Sequence, residues 1–152
     1  MKQLTAALSP RRLLATRRLT VADLATLMYV TTVAVVVELG LRLLSLRVLA
    51  RVLGVALKAA PARPAAPRPG FGLSDRQRHA VHLARRLMRH WPWGAGTCLR
   101  QSLVIAHLLR ALEPTLRLGV RREDGIVEAH AWVEVPGMIN TGGQGFQALE
   151  WT

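Results

Sequence analysis

Apolar and polar positions repeat with different periods along this chain, and those periods predict its elements. Residues 74–90 and 98–112 repeat apolar side chains at three- and four-residue steps, which predicts two helices. Residues 126–135 alternate in character and are rich in β-branched residues, which predicts a strand. A strand near residues 116–122 is expected before it and a short strand at Met138 after it. Helices followed by consecutive antiparallel strands predict an α+β fold.

Polar and turn-forming residues mark the ends of these elements. Ser74 and Gln77 match a capping box, which predicts that the first helix begins there. Residues 91–97 are rich in turn formers, so Thr97 is predicted to cap a helix whose first residue is Cys98. Pro136 and Gly137 predict a turn after the His130-bearing strand.

The N-terminal part is apolar but interrupted by charge. Residues 24–37 hold fourteen positions without a charged side chain, fewer than the roughly twenty that a spanning helix needs. Glu38 and Arg42 follow at a spacing that allows them to pair on a helix. If the helix continues to Lys58, its spacing places Arg47, Arg51 and Lys58 on one side and four leucines on the other, where they would cover an apolar surface. These leucines are Leu46, Leu49, Leu53 and Leu57.

Three roles fit this apolar part. We favour packing on protein first, binding to a membrane surface second and crossing the membrane third. A secretory signal fits poorly, because the stretch lies far from the start and lacks a clear small-residue cleavage site. We therefore expect a cytoplasmic protein in which residues 20–58 would make any membrane contact.

Prolines divide the chain. Pro61, Pro64, Pro67 and Pro69 lie among alanines and arginines, which predicts an extended, semi-rigid spacer. The predicted organisation is an N-terminal helical region at 1–60, a linker at 61–70 and a C-terminal domain at 71–152.

The chain is strongly basic, with a formal net charge of +12 over 152 residues. Such charge favours nucleic acid, an anionic membrane or an acidic partner, although an arginine-rich composition also arises in G+C-rich genomes. The sequence has no zinc knuckle, helix-turn-helix or basic strand with interleaved aromatics, so nucleic acid is not an expected partner.

Cys98 is the single cysteine, so it cannot form an intrachain disulfide. At a helix start, unpaired backbone N–H groups and the helix dipole favour a thiolate and could also form an oxyanion hole. Cys98 is therefore a candidate nucleophile. The alternative is a small apolar residue that only fills space.

His130 lies on the predicted strand 126–135. Period two places Glu128, His130, Trp132 and Glu134 on one face, and the opposite, apolar face is expected to be the core. If the start of the Cys98 helix covers the His130 face, the imidazole can accept the thiol proton and return it to a leaving amine. The alternative is a half-exposed histidine without a catalytic role.

The other histidines do not suggest a site. His79 and His82 are three residues apart but have no third ligand nearby, so they are expected to be solvated and no metal or cofactor is predicted. His107 lies about two and a half turns after Cys98 on the same helix, too far to reach the sulfur.

The ordered motifs C-L-R-Q-S-L from Cys98, L-L-R from Leu108, L-G-V-R from Leu118 and A-H-A-W-V-E from Ala129 resemble the leader peptidases of lasso-peptide biosynthesis. Those enzymes are transglutaminase-like, papain-related cysteine peptidases, and the resemblance covers about residues 72–152. It implies cleavage of the leader from a ribosomally made precursor peptide. The partners it implies are that precursor and a separate ATP-dependent macrolactam cyclase. No evident leader-recognition domain is present, so a separate protein is expected to present the leader.

One position departs from the family pattern. The family has an aspartate after the hairpin that orients the histidine, whereas residues 138–143 contain no acid. Asn140 is the preferred substitute, as in a Cys-His-Asn arrangement. A three-residue loop would place Asn140 on the His130 face, and a two-residue loop would place Thr141 there instead. Glu128 or Glu134 could compensate from the same face.

Trp132, Gln101 and Trp93 are candidate substrate contacts beside the catalytic pair, with core packing as the alternative for the tryptophans. Two other functions remain open. One is an acyltransferase on the same scaffold, in which an amine resolves the Cys98 thioester. The other is a non-catalytic, peptide-binding or membrane-associated scaffold.

Overall fold

A computed structural model describes residues 20–57, 72–92, 98–123, 125–137 and 145–149. The helices are α1 (Val21–Leu43), α2 (Leu46–Val52), α3 (Asp75–Arg89) and α4 (Cys98–Leu108), and a 3-10 turn follows at Arg110–Leu112. The strands are β1 (Ala56–Leu57), β2 (Thr115–Glu123), β3 (Ile126–Glu134) and β4 (Gln147–Ala148). This mixture of helices and a small, mainly antiparallel sheet agrees with the predicted α+β class.

The helix starts follow the local sequence. Thr20 and Ser74 each cap the helix that follows through a complete capping box, and the predicted box at Ser74 is confirmed. The predicted helix through Lys58 is wrong, because α2 ends at Val52. Gly54 adopts a left-handed conformation there, with φ 68°. The Gly54 N–H donates to the Arg51 carbonyl and the Val55 N–H to the Ala50 carbonyl, which closes a Schellman motif.

The sheet is built around β2. β3 pairs with β2 in antiparallel register along its whole length, with His130 opposite Gly119. On the other side of β2, β1 pairs in parallel at Thr115 and Leu116, and β4 pairs antiparallel at Gly119 and Val120. The linker 61–70 and the predicted strand at Met138 lie outside the described residues, so the proposed domain division stays a prediction.

Helices α1, α3 and α4 pack against one another and share one core with the sheet. α1 contributes Val30, Val33, Ala34 and Val37, which are all nearly inaccessible to solvent. Leu49 and Leu53, two of the leucines predicted to cover an apolar surface, are also buried in this core. One face of the N-terminal apolar part therefore packs on protein.

A buried carboxylate joins α1 to the start of α4. Glu38 is 3% exposed and pairs with Arg42 on its own helix at 2.9 Å and with Arg100 at 2.7 Å. The expected pairing of Glu38 with Arg42 is thus present. The contact with Arg100 was not expected, because it joins residues 62 positions apart.

His107 takes part in a second connection between α1 and α4. Its Nδ1 lies 2.9 Å from the Leu53 carbonyl oxygen, and its Nε2 lies 3.1 Å from the Tyr29 hydroxyl. Arg110 donates to that hydroxyl at 2.8 Å. These contacts fit a neutral imidazole that donates through Nδ1 and accepts through Nε2. His107 is therefore a packed, structural residue.

The expectation that His79 is solvated is wrong, because its Nε2 lies 2.8 Å from the carboxylate of Asp23, on the neighbouring helix α1. The backbone N–H of Thr20 donates to the same carboxylate at 2.9 Å. That bond, together with the Thr20 hydroxyl and His79, lowers the pKa of Asp23 below its usual value of 3.8.

Because folding lowers the pKa of Asp23, its ionised form stabilises the fold above the unfolded pKa, and this contribution is lost as the pH falls through the folded value. We expect Asp23→Asn to lower the free energy of unfolding at pH 6 more than at pH 3, measured by urea denaturation. Asp75→Asn is the matched control, since Asp75 also lies in a first helical turn but has a 97% exposed side chain. An equal loss at both pH values for Asp23→Asn would contradict the assignment.

Candidate active site

The start of α4 lies against the outer edge of β3. The Ala131 N–H donates to the Cys98 sulfur at 3.3 Å, and the thiol lies 4.0 Å from the Ala129 carbonyl oxygen. One turn later, the buried Ser102 hydroxyl donates to the Ala131 carbonyl at 2.9 Å. In an antiparallel strand, alternate residues direct their backbone groups away from the partner strand. Cys98 and Ser102 on α4 bind such outward-facing backbone groups of β3, and the Cys98 sulfur therefore lies beside the backbone of His130.

The His130 side chain lies among aromatic rings. Its ring stacks on Trp132 with centroids 6.2 Å apart and lies 5.0 Å from the ring of Phe146. Within the described part of the chain, no hydrogen bond joins the Cys98 sulfur to the His130 imidazole. Catalytic hydrogen bonds often tighten only when substrate binds, so the pairing of Cys98 with His130 stays a prediction.

The predicted faces of β3 are confirmed. Trp132 Nε1 donates to Glu134 at 3.1 Å. On β2, Arg117 lies opposite Trp132 and donates to Glu134, and Arg121 lies opposite Glu128 and donates to it. The opposite face of β3 is buried in the core only along the second half of the strand. Ala131 is 3% exposed, whereas Val127, nearer the β2–β3 turn, is 64% exposed.

Both glutamates on the His130 face are engaged elsewhere. Glu134 accepts from Arg117, which is 1% exposed, at 2.9 Å, and Glu128 accepts from Arg121 at 2.6 Å. Hydrogen bonding to Glu128 also raises the pKa of Arg121. Among the described residues neither glutamate bonds to His130. Asn140 and Thr141, the other candidates for orienting it, lie outside the described residues.

Phe146 was missed by the sequence reasoning. The register of β4 on β2 brings it beside His130 and places its ring 4.9 Å from the Arg121 guanidinium. β4 has only two residues, and no periodic pattern marks so short a strand. The nearby glycines 142, 143 and 145 were the available signal, since they indicate a turn before it.

His130, Trp132, Phe146 and Arg121 thus form one surface, which we call the aromatic platform. Trp132 is 7% exposed, so most of its ring is buried and only a small part contributes to the exposed surface of the platform. Gln101 lies on α4, three residues after Cys98, and is partly buried. Trp93, the third predicted substrate contact, lies outside the described residues.

Gly119 leaves room for the platform. A Cβ at this position would lie 2.9 Å from two ring atoms of Trp132 and 2.7 Å from the Gln147 carbonyl oxygen. Glycine is therefore required because β4 and the Trp132 ring approach the β2 backbone closely.

We expect Gly119→Ala to displace Trp132 and β4 and to lower the free energy of unfolding by about 1–3 kcal/mol, the usual cost of overpacking. Urea denaturation measures this loss. Gly72→Ala is the matched control, because a Cβ at Gly72 would meet nothing within 4 Å. Equal stabilities for the two variants would contradict the packing argument.

In the described part of the chain, no group of three or more His, Cys, Asp or Glu side chains could hold a metal ion. At the candidate active site the structure brings the Cys98 thiol, at the start of α4, to the β3 backbone on either side of His130.

The sequence profile of the Transglutaminase-like superfamily matches residues 31–150. The match begins inside α1 and includes α4 and the whole sheet. The chain therefore belongs to the transglutaminase-like superfamily, a group that includes cysteine proteases and acyltransferases. No curated protein and no solved structure matches the chain.

Proposed function

We propose that this protein is a cysteine peptidase that removes the leader from a ribosomally made lasso-peptide precursor before ring closure. Membership of the transglutaminase-like superfamily supports a cysteine-dependent enzyme. The order and spacing of the motifs at Cys98, Leu118 and Ala129 support the leader peptidase. The observation that carries the proposal is the position of Cys98, at a helix start with its sulfur beside the His130 backbone.

In the proposed reaction, His130 removes the thiol proton and the Cys98 sulfur attacks the carbonyl carbon of the last leader residue. Backbone N–H groups at the start of α4 would stabilise the oxyanion. The peptide bond then breaks, and the core peptide leaves as an amine with the proton from His130. Water, deprotonated by His130, hydrolyses the leader thioester and restores the thiol.

The other residues have supporting roles in this proposal. Asn140 accepts the His130 N–H and orients the ring. The aromatic platform binds the residues next to the cleaved bond, and Gln101 and Trp93 are the other proposed substrate contacts. A separate protein presents the leader, and an ATP-dependent cyclase uses the freed N-terminus.

The proposal is tested by incubating the precursor with the full chain, with and without the leader-binding protein, and measuring product masses. We expect partner-dependent cleavage that adds one water across the bond. His130→Ala is expected to abolish cleavage within detection, and Asn140→Ala to lower its rate, because the imidazole loses the partner that orients it. Cleavage that does not depend on His130 would contradict the assignment.

An amine acyltransferase is the second candidate, because the superfamily includes acyltransferases and the thioester step is shared. Adding a primary amine to the same reaction separates the two activities. A leader product whose mass matches the amide rather than the acid would replace hydrolysis by transfer. No product of either kind from a folded, partnered sample would favour a peptide-binding scaffold.

A further inference from the structure

α1 leaves one apolar face uncovered. This face carries Val21, Leu24, Met28, Val36, Leu39 and Leu43, which are 86%, 53%, 64%, 44%, 53% and 77% exposed. At about 100° per residue they lie within an arc of about 120°, and the stripe is roughly 33 Å long. The buried residues Val30, Val33 and Val37 occupy the opposite side of the helix. Thr32 lies within the stripe, but its hydroxyl donates to the Met28 carbonyl and so needs no hydrogen bond from its hydrogen to water.

The sequence of this N-terminal part carries a positive net charge. Residues 1–58 contain nine Lys and Arg but only two acids, Asp23 and Glu38. Glu38 is buried, and Asp23 is bonded to Thr20 and His79. Arg42 borders the stripe with a 59% exposed side chain while it pairs with the buried Glu38, and exposed Arg47 and Arg51 follow on α2. This combination of an apolar face and flanking arginines is complementary to an anionic lipid surface.

The packing of α1 distinguishes surface binding from spanning. α1 is the helix in the described ranges that is long and apolar enough to cross a membrane, with a mean hydropathy of 1.9. However, 33% of that stretch is buried in the protein, and Glu38 is paired with Arg100. A spanning α1 would have to expose this core and move the buried carboxylate into lipid, which is costly. An α1 lying in the plane of the membrane surface keeps both contacts.

We propose that the exposed stripe of α1 docks the folded protein onto an anionic phospholipid surface, with the helix in the plane of the interface. A second copy of the chain is a poor occupant, because it would bring another basic region against this one. The proposal is independent of the peptidase assignment, since it uses neither Cys98 nor the aromatic platform.

Vesicle flotation of the full chain tests the proposal, with vesicles of equal phosphatidylcholine and phosphatidylglycerol compared with phosphatidylcholine alone. We expect wild type to float with the anionic vesicles and to be released by 1 M salt. Leu24→Gln/Met28→Gln/Leu39→Gln should lower the bound fraction at least about fivefold. Ile126→Thr/Val127→Thr is the matched control, because those β3 side chains are 67% and 64% exposed. It should bind like wild type.

Several results would overturn the proposal. One is that wild type and the triple variant bind equally well, and another is that wild type does not bind anionic vesicles. The third is that the β3 control loses as much binding as the triple variant. Wild type that resists extraction by 1 M salt and high pH would indicate a spanning α1 instead. A wild-type dimer that the triple variant converts to a monomer in ultracentrifugation would assign the stripe to a second copy. Circular dichroism of each variant excludes unfolding as the cause of lost binding.

Discussion

Cys98→Ala is expected to lower the rate of leader cleavage at least about 10³-fold, because it removes the atom that forms the covalent intermediate. Cys98 is partly exposed at the first position of α4, so the substitution should leave the fold intact. The measurement is the initial cleavage rate of the precursor with the leader-binding protein present. Circular dichroism of the variant checks that it is folded.

Ser102→Ala is the matched control for Cys98→Ala. It lies one turn later on α4 and loses the bond to the Ala131 carbonyl, but it leaves the sulfur in place. We expect it to be destabilised by about 1–3 kcal/mol, because it leaves a buried carbonyl without its donor, and to lose at most about tenfold in rate. A Cys98→Ala enzyme as active as the Ser102→Ala enzyme would exclude Cys98 as the nucleophile.

Glu38→Ala is expected to cost about 3–5 kcal/mol in the free energy of unfolding, because it leaves the largely buried Arg100 guanidinium without its carboxylate. Urea denaturation measures this loss. Arg42→Ala removes the other partner of Glu38, but its side chain is 59% exposed, so about 0–1 kcal/mol is expected.

A double variant separates a lost ion pair from a lost packing contact. Glu38→Leu/Arg100→Met removes both charges and fills the space with apolar atoms, so it should regain most of the stability that Glu38→Ala loses. If the double variant were as unstable as Glu38→Ala, the cost would come from packing. A loss below about 1 kcal/mol in Glu38→Ala would show that the pair does not hold α1 to α4.

Local rules in the sequence predicted much of the structure. The capping box at Ser74 begins α3, and the alternation along β3 places His130, Trp132 and Glu134 on one face. The predicted helix at 99–112 forms as α4 and a 3-10 turn, because the helix ends at Leu108. These features depend on neighbours within a few residues, which a sequence pattern records.

The remaining features depend on contacts between distant residues. Tyr29 meets His107 across 78 positions, and Glu38 meets Arg100 across 62. The sequence left open whether the start of α4 would meet the His130 face, and the contacts of Cys98 in the structure are with the backbone edge of β3. The two-residue strand that brings Phe146 to His130 has no periodic signal of its own. Long-range pairing sets each of these positions, and a single sequence does not contain that information.

The most direct test of a cysteine peptidase is the covalent state of Cys98 during turnover. The full chain, the leader-binding protein and the precursor are mixed, quenched in acid within the first turnover and measured by intact-protein mass spectrometry. The predicted result is a transient thioester on Cys98, the single cysteine of the chain, that adds the mass of the leader acid less one water. Cleavage at an undiminished rate by Cys98→Ala would contradict the peptidase proposed here.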